Sequence, residues 1–231
     1  MKGEVVSADH KIEPSPQEYA RQIAYWNQAA QTKDFTTNLR IDEFSRYVSK
    51  KDFIVDVGCG YGRILGELQR LGYTKLIGFD PAASMISRGK AEYPSLDLRL
   101  MHSEVLDLPD ESADAALLMG VLTCIASDAV QDRLLKEIFR VLKPGGILYV
   151  NDFLINEDRR NLTRYEKYKD LYGIRGVFVL PEGAHLRHHT EERIRILFER
   201  FEQKEYQRLT FRTMNGHTSR GFFYIGSKNA E

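Results

Sequence analysis

The residues of this chain best suited to chemistry are two aspartates and a run of alternating glycines. Asp56 lies in a short apolar run at 53–57, and the segment Gly58-Cys59-Gly60-Tyr61-Gly62-Arg63 follows it directly. Glycines between a strand and a helix let the backbone approach a ligand, because no Cβ stands in the way. Asp80 ends a second apolar run, 22 residues beyond Gly58. A carboxylate at that point can accept hydrogen bonds from both hydroxyls of a ribose.

The spacing of the glycines distinguishes two kinds of ligand. A dinucleotide-binding loop needs its third glycine at position 63, where this chain has Arg63. Asp56 also fits poorly beside a pyrophosphate, whereas it suits a ligand that carries an ammonium and a sulfonium. Two alternatives stay open, namely a strand–helix turn that binds nothing and a helix N-cap role for Asp80.

Composition limits the classes of protein to consider. The 231 residues include 33 basic and 33 acidic side chains, so the chain lacks the basic field of a dedicated nucleic-acid binder. Two cysteines do not make a disulfide scaffold. The N-terminus has no apolar signal region, and no apolar stretch approaches the length of a membrane span. We therefore expect a cytoplasmic protein that binds neither nucleic acid nor a membrane.

Apolar runs alternate with amphipathic segments through the middle of the chain. Strands are predicted at 53–57, 76–79, 96–101, 113–119 and 147–150, and helices at 64–71, 85–93 and 128–142. This order predicts an α/β fold with a doubly wound, mostly parallel, seven-stranded sheet and helices on both faces. Ligands of such folds bind beyond the carboxyl ends of the strands, where the glycine loop and Asp80 lie.

Segments on either side complete the predicted organisation. Helices at 18–30 and 37–48 form an N-terminal helical lid or extension over residues 1–50, ahead of a Rossmann-like domain at 51–231. Within that domain, residues 154–200 form a substrate-covering insertion, with helices at 156–172 and 190–198 and an extended piece at 176–181. Two strands, at 201–211 and 221–225, form a C-terminal antiparallel hairpin around Asn215-Gly216, a sequence typical of hairpin turns.

Four ordered motifs carry a family resemblance. DVGCGYGR, GFDPAASMI, EVLDLP and EIFRVLKPGG resemble the motifs of class I, Rossmann-like, S-adenosylmethionine-dependent methyltransferases. The segments YWNQAAQTKDF and GAHLRHHTEE resemble a bacterial group of these enzymes that act on small molecules. The resemblance implies in-line methyl transfer from S-adenosyl-L-methionine to a small-molecule acceptor, with S-adenosyl-L-homocysteine as the product.

The resemblance also implies which residues bind the cofactor. Asp56 and Gly58 would lie along its methionine part, Asp80 would hold the ribose, and Glu104 and the backbone N–H of Val105 would contact the adenine. Met119 and Gly120 would pass the methionine moiety, and Tyr25 and Trp26 would form a lid. The full set of expected cofactor-binding residues is Tyr25, Trp26, Asp56, Gly58, Cys59, Gly60, Asp80, Pro81, Met85, Ser103, Glu104, Val105, Met119 and Gly120.

Catalytic candidates follow the fifth strand. His188, His189 and Tyr165 are expected to face the acceptor, since histidine accepts a proton near neutral pH and the region has a small excess of basic residues. Arg187 and Tyr168 are further candidates, and the group favours an anionic or hydroxylated acceptor. The alternative is a surface turn and helix cap at 187–190 and ordinary packing of the two tyrosines.

Rival functions remain at this point. Base-amino methyltransferases carry an Asn/Asp-Pro-Pro-aromatic sequence after the fourth strand, where this chain has Gly120-Val121-Leu122-Thr123. No acid lies at 119–125, so no catalytic metal is predicted. A non-catalytic regulatory protein that binds S-adenosylmethionine or its product is one alternative function. An NAD-dependent oxidoreductase is another, which Asp56 and Arg63 disfavour.

Overall fold

A computed structural model describes residues 15–229 of the chain. The first part of the lid segment predicted at 1–50 therefore lies outside the described residues. A seven-stranded sheet forms the centre of the molecule, in the order β3-β2-β1-β4-β5-β9-β8. Its strands are β1 (Phe53–Val57), β2 (Lys75–Asp80), β3 (Asp97–Leu100), β4 (Ala113–Met119), β5 (Leu142–Phe153), β8 (Phe201–Arg212) and β9 (Thr218–Lys228). The other two strands, β6 (Val177–Val179) and β7 (His185–Arg187), pair in a separate antiparallel ribbon.

Strands β1 to β5 run parallel to one another, whereas β9 pairs antiparallel with both β5 and β8. The predicted mostly parallel, seven-stranded sheet with a C-terminal antiparallel hairpin is thus confirmed. Thr213 and His217 close the hairpin turn, and Gly216 adopts a φ of +77° there. The predicted Asn215-Gly216 turn is therefore present.

Helices cover both faces of the sheet. They are α1 (Pro16–Thr32), α2 (Ile41–Phe44), α3 (Arg63–Arg70), α4 (Ala83–Glu92), α5 (Asp128–Val141), α6 (Arg159–Tyr168) and α7 (Glu191–Leu197). Alternate residues of each central strand point to opposite faces. Val55 and Val57 join the apolar cluster under α5 and α7, whereas Ile54 joins the cluster under α2 and α3. The sheet is therefore buried on both sides, as a parallel sheet requires.

Local sequence signals define several helix starts. Ser15 and Glu18 form a reciprocal capping box at the start of α1, with Pro16 in the first turn. Ser127 caps α5, and Thr190 caps α7 as predicted. None of the helices between residues 15 and 229 is both long enough and apolar enough to cross a membrane.

Two local predictions were wrong, and one strand was missed. The helix expected at 37–48 is reduced to α2, because the backbone before it bonds to the sheet instead. The Arg40 amide donates to the hydroxyl of Tyr149, and the Asn38 carbonyl accepts from the side chain of Asn151. Strand β5 begins at Leu142 rather than at 147, because Leu142 already pairs with Ala113, and an irregularity that includes Gly145 at a φ of +76° lies between this pair and Ile147. Strand β7 was not predicted, although it includes Arg187, for which a surface turn was one alternative.

Candidate functional site

A cavity of about 560 Å³ opens at the carboxyl ends of β1, β2, β4 and β5. This is the edge of the sheet at which the sequence places the glycine loop and Asp80, and its size suits a cofactor or a small molecule. Helix α1 covers one side of the cavity, and the segment from α6 to β7 covers the other. The parts of the chain that line it are the loops after these four strands, α1, α6 and the turn of the C-terminal hairpin.

The glycine loop after β1 is held against the end of β2. The amides of Gly58 and Cys59 both donate to the Phe79 carbonyl, at 2.7 and 3.0 Å. Asp80 then uses both carboxylate oxygens, because Oδ2 accepts from the Gly60 amide and Oδ1 from the Ala82 amide, each at 2.8 Å. Asp80 therefore shapes the loop and the start of α4 while its carboxylate lines the cavity.

Asp56 lies on the floor of the cavity and is buried. Its Oδ1 has no hydrogen-bond partner among the residues that the structure describes. Burial, together with the negative charge of Asp80, raises the pKa of the Asp56 carboxyl to about 7. Burial also raises the pKa of Asp80, to about 6. A buried acceptor without a donor is costly, so this corner of the cavity is suited to a cationic hydrogen-bond donor.

The end of the cavity beyond β2 and β3 carries further expected residues. Ser103 and Glu104 line it, and Glu104 pairs with Arg133 at 3.3 Å. The pKa of the Tyr19 phenol is raised by burial and by the charges of Glu104 and Asp80, so Tyr19 faces this end. Val105 is 67% exposed and does not line the cavity.

Helix α1 covers the cavity and is attached at both ends. Near its start, the hydroxyl of Tyr172 lies 3.0 Å from Glu18 and 2.8 Å from Nδ1 of His185. Near its end, the Arg88 side chain of α4 donates to the carbonyls of Ala30 and Lys33. Tyr25 and Trp26 lie between these attachments and line the cavity.

Strand β4 ends beside the same space. Met119 and Gly120 line the cavity, and Gly120 has a φ of +72°. A Cβ built on Gly120 would meet no atom within 4 Å, so it would project into open space. Cys59 and Cys124 also line the cavity, but burial raises both thiol pKa values well above the usual range. Neither thiol is therefore suited to act as a nucleophile.

The structure brings many of the predicted cofactor residues together. Those that line the cavity are Tyr25, Trp26, Asp56, Gly58, Cys59, Asp80, Pro81, Met85, Ser103, Glu104, Met119 and Gly120. Gly60 contributes its backbone to the loop but lies away from the cavity. Its φ is +55°, and a Cβ there would overlap the ring of Phe35 rather than a ligand.

Of the three catalytic candidates, only His188 lines the cavity. Its Nδ1 lies 2.5 Å from the hydroxyl of Tyr165, which itself accepts from the Asn156 amide at 3.4 Å. The Tyr165 proton is therefore directed to Nδ1, which assigns the His188 proton to Nε2. Burial, with the charges of Arg164 and Arg160, lowers the pKa of His188 to about 3. His188 is thus neutral. Its Nε2–H can donate a hydrogen bond, and its low pKa makes it a poor base.

The neighbouring candidates make internal contacts and do not line the cavity. Both ring nitrogens of His189 are engaged, with Nε2 at 2.8 Å from the Gln131 amide and Nδ1 at 3.3 Å from the Phe153 carbonyl. Arg187 is buried and pairs with Asp128 at 2.7 Å. Neither residue lines the cavity, and Tyr165 and Tyr168 do not line it either. The run at 187–189 therefore joins β7 to the sheet and α5, and only its central member reaches the cavity.

Several cavity residues were not predicted to bind the cofactor or the acceptor. They are Tyr19, Gln22, Arg160, Arg164, Tyr172, His185, Met214 and His217. Arg160 and Arg164 are four residues apart in a segment that was predicted to be helical, and this spacing places them on one face of α6. Nothing in the sequence indicated which face would turn to the cavity, because that depends on how α6 packs on the β6–β7 ribbon.

Comparison with known proteins identifies the family. A family model described as a methyltransferase domain matches residues 55–150. A carboxy-S-adenosyl-L-methionine synthase of Nautilia profundicola is 29% identical over 126 residues, 53% of this chain and 53% of that protein. A demethylmenaquinone methyltransferase of Chlorobaculum parvum is 27% identical over 173 residues, 69% of this chain and 68% of that protein. The crystal structure of an S-adenosylmethionine-dependent methyltransferase from Methanosarcina mazei is 28% identical, with a TM-score of 0.79, and covers 84% of this chain and 100% of that one.

The matched stretch spans about half the length of the synthase, the first of these relatives. The matched domain contains the glycine loop, Asp80 and the β4 end, which are the parts that line one half of the cavity. The strand order and the matched domain agree with the resemblance of the four sequence motifs. Residues 55–150 of the chain thus match a methyltransferase domain, in the fold of the class I, Rossmann-like, S-adenosylmethionine-dependent methyltransferases.

Proposed function

We propose that this protein transfers a methyl group from S-adenosyl-L-methionine to a small-molecule acceptor bound in the cavity. The observation that carries the proposal is the unpartnered Oδ1 of Asp56, which is buried at the bottom of the cavity beside the glycine loop. An ammonium group would supply the missing donor and the missing positive charge at once.

The cavity residues fit the other parts of the cofactor. Asp80 presents a buried carboxylate whose orientation is fixed by two backbone amides, and it would accept the ribose hydroxyls. The space beside Gly120 would take the methionine part, since no side chain fills it. Tyr19, Ser103 and Glu104 would surround the adenine. Val105 is exposed and does not line the cavity, so we do not include it in this set.

The bound cofactor supplies a methyl group on a sulfonium, which a nucleophile displaces in line. The work left to the protein is to align the two partners and to exclude water. Helix α1 would exclude water by holding Tyr25 and Trp26 over the cavity. We propose that α1 acts as a lid and that the segment at 154–200 covers the acceptor. His188 would orient the acceptor with its Nε2–H, because its low pKa makes it a poor base.

A protein that binds the cofactor without turnover would present the same glycine loop. Calorimetry with S-adenosyl-L-homocysteine tests the cofactor assignment, and release of that product in the presence of candidate acceptors tests turnover. The proposal predicts binding and, with a suitable phenol, amine or carboxylic acid, product release. Binding without product release from any acceptor class would favour the regulatory alternative.

A further inference from the structure

The acceptor side of the cavity carries a concentration of positive charge. Arg160 and Arg164 lie one turn apart on α6 and both line the cavity, as does His188 on the chain after β7. The charges of both arginines lower the pKa of His188, so the three groups face the same region. The buried acids Asp56 and Asp80 line the cavity at the ends of β1 and β2, where the proposed cofactor binds, and Arg63 lies near Asp56. The two arginines of α6 thus belong to a different part of the fold from these acids.

The environment of Arg164 leaves its charge without a counter-ion. No ion pair joins Arg164 to a carboxylate in the part of the chain that the structure describes, and its Nε is buried without a hydrogen-bond partner. Its guanidinium lies over the ring of Phe178, with Cζ 3.5 Å from the ring centroid. Burial lowers the pKa of Arg164, and the charges of Tyr165 and Asp158 and a side-chain hydrogen bond to Tyr165 raise it. Stacking of this kind fixes the plane of the guanidinium, whose N–H groups that do not bond to Tyr165 remain available to a ligand.

The neighbouring groups extend this donor surface. Arg160 lies 4.0 Å from Asp158, the N-cap residue of α6, and its side chain is 40% exposed, so it lies at the mouth of the cavity. His188 presents Nε2–H, since Tyr165 and Asn156 both face its Nδ1. Two planar cations and one neutral N–H donor make a surface that matches the fork geometry of a carboxylate.

The wall beside these donors is apolar and flat. The ring of Phe153 stacks on His188 with centroids 5.6 Å apart, and the ring of Phe178 meets His188 edge-on at 5.0 Å. Met214, in the hairpin turn, also lines the cavity. An acceptor with an apolar or aromatic body could lie against these rings while its anionic end meets the arginines.

We propose that the methyl acceptor carries a carboxylate group, and that Arg164, assisted by Arg160 and the Nε2–H of His188, binds it. The inference rests on the proposed function, because it concerns the second ligand of the same cavity. Arg164 is then a specificity-determining residue that recognises one end of the acceptor and turns its other end towards the cofactor.

Matched acid and amide probes test this directly. Benzoate, 3-phenylpropanoate and indole-3-acetate, each with its primary amide, are titrated into the protein saturated with S-adenosyl-L-homocysteine, and binding is measured by calorimetry. The acids are expected to bind at least about tenfold more tightly than their amides. Arg164→Gln keeps a planar group over Phe178 but removes the charge, and it should abolish the preference for acids. Arg159→Ala removes a charge from an exposed neighbour on α6 that does not line the cavity, and it should leave the preference unchanged.

The outcomes separate this inference from the proposed function. Normal binding of S-adenosyl-L-homocysteine by wild type and Arg164→Gln, with the acid preference lost only in the variant, supports the inference. Equal binding of acids and amides by wild type, or no acid binding at all, overturns the inference while the cofactor assignment stands. Weakened binding of S-adenosyl-L-homocysteine by Arg164→Gln, at an unchanged melting temperature, also overturns it, because Arg164 would then serve the cofactor. If wild type does not bind S-adenosyl-L-homocysteine, the proposed function fails first.

Discussion

The carboxylate of Asp80 accepts a hydrogen bond from the amide of Gly60 at 2.8 Å, which joins the end of β2 to the glycine loop after β1. The other oxygen of Asp80 accepts from Ala82 at the same distance. One side chain thus shapes the loop, holds the turn before α4 and lines the cavity. The N-cap role weighed for Asp80 from the sequence is not present, because Ala82 is the N-cap residue of α4 and no side chain caps this helix.

Replacing Asp80 by Ala should weaken binding of S-adenosyl-L-homocysteine by about 2–4 kcal/mol, because two charge-assisted hydrogen bonds to a ribose are lost. It should also lower the melting temperature, since the amides of Gly60 and Ala82 lose their acceptor. Asp80→Asn keeps one acceptor oxygen but places its NH2 group against the second backbone amide, so its melting temperature should fall between those of wild type and Asp80→Ala. Calorimetry and thermal melting separate the two effects, and unchanged affinity in Asp80→Ala would remove the ribose assignment.

The fold was largely predictable because its signals are local and repeated. Period-two and period-3.6 patterns alternate along the centre of the chain, and Gly58, Ser127, Thr190 and Gly216 mark turns and caps. The errors fall where distant groups decide the backbone. The chain before α2 is extended because Tyr149 and Asn151, more than a hundred residues away, bond to it.

Asp56→Asn should stabilise the ligand-free protein at pH 8 and weaken binding of S-adenosyl-L-homocysteine. In the folded protein the Asp56 pKa is raised to about 7 from 3.8, so the folded state binds more protons than the unfolded state between these values. The wild-type free energy of unfolding therefore falls as pH rises through this window. Asn removes this loss, and it also removes the charge that would bind an ammonium.

The pH dependence of affinity provides the check. A cation beside Asp56 favours the ionised carboxyl, so wild-type affinity should rise from pH 5.5 to pH 8, around a pKa of about 7. Burial also raises the pKa values of Asp80 and Asp152, so the comparison of wild type with Asp56→Asn isolates the contribution of Asp56. Equal pH dependence in the two proteins would show that Asp56 does not bind the cation.

Gly120→Ala should reduce cofactor affinity, because the added methyl group would occupy the space proposed for the methionine part. The φ of +72° adds a strain of about 1–2 kcal/mol to the folded protein. Gly145→Ala is a matched control, because Gly145 has a φ of +76° and open space around it but lies outside the cavity. Similar melting temperatures with a loss of S-adenosyl-L-homocysteine binding only in Gly120→Ala are expected. Normal binding by both variants would place the methionine part elsewhere.

Tyr172→Phe should loosen α1 without changing the cavity surface greatly. The variant loses the hydroxyl contacts to Glu18 and His185, worth about 1 kcal/mol, and the start of α1 should open more often. Amide exchange measured by mass spectrometry on residues 16–32 should be faster in the variant, and S-adenosyl-L-homocysteine should slow it in wild type. Exchange that responds neither to the variant nor to the ligand would argue against a lid.

The cofactor half of the site was more accessible from sequence than the acceptor half. Asp56, Gly58 and Asp80 are adjacent to strand ends, so their position in the fold follows from the topology. The residues at 185–189 lie in the β6–β7 ribbon and the chain beyond it, where successive side chains face opposite sides. That alternation turns His188 to the cavity and leaves Arg187 and His189 in internal contacts, which composition alone could not indicate.

The most direct test of the central claim is a turnover measurement with S-adenosyl-L-methionine and a panel of phenols, amines and carboxylic acids. Mass spectrometry follows S-adenosyl-L-homocysteine and the methylated product together, with Asp56→Asn as the control. The account predicts that at least one acceptor gives both products in equal amounts and that Asp56→Asn gives far less. Tight binding of S-adenosyl-L-methionine by wild type without a methylated product from any acceptor would contradict it.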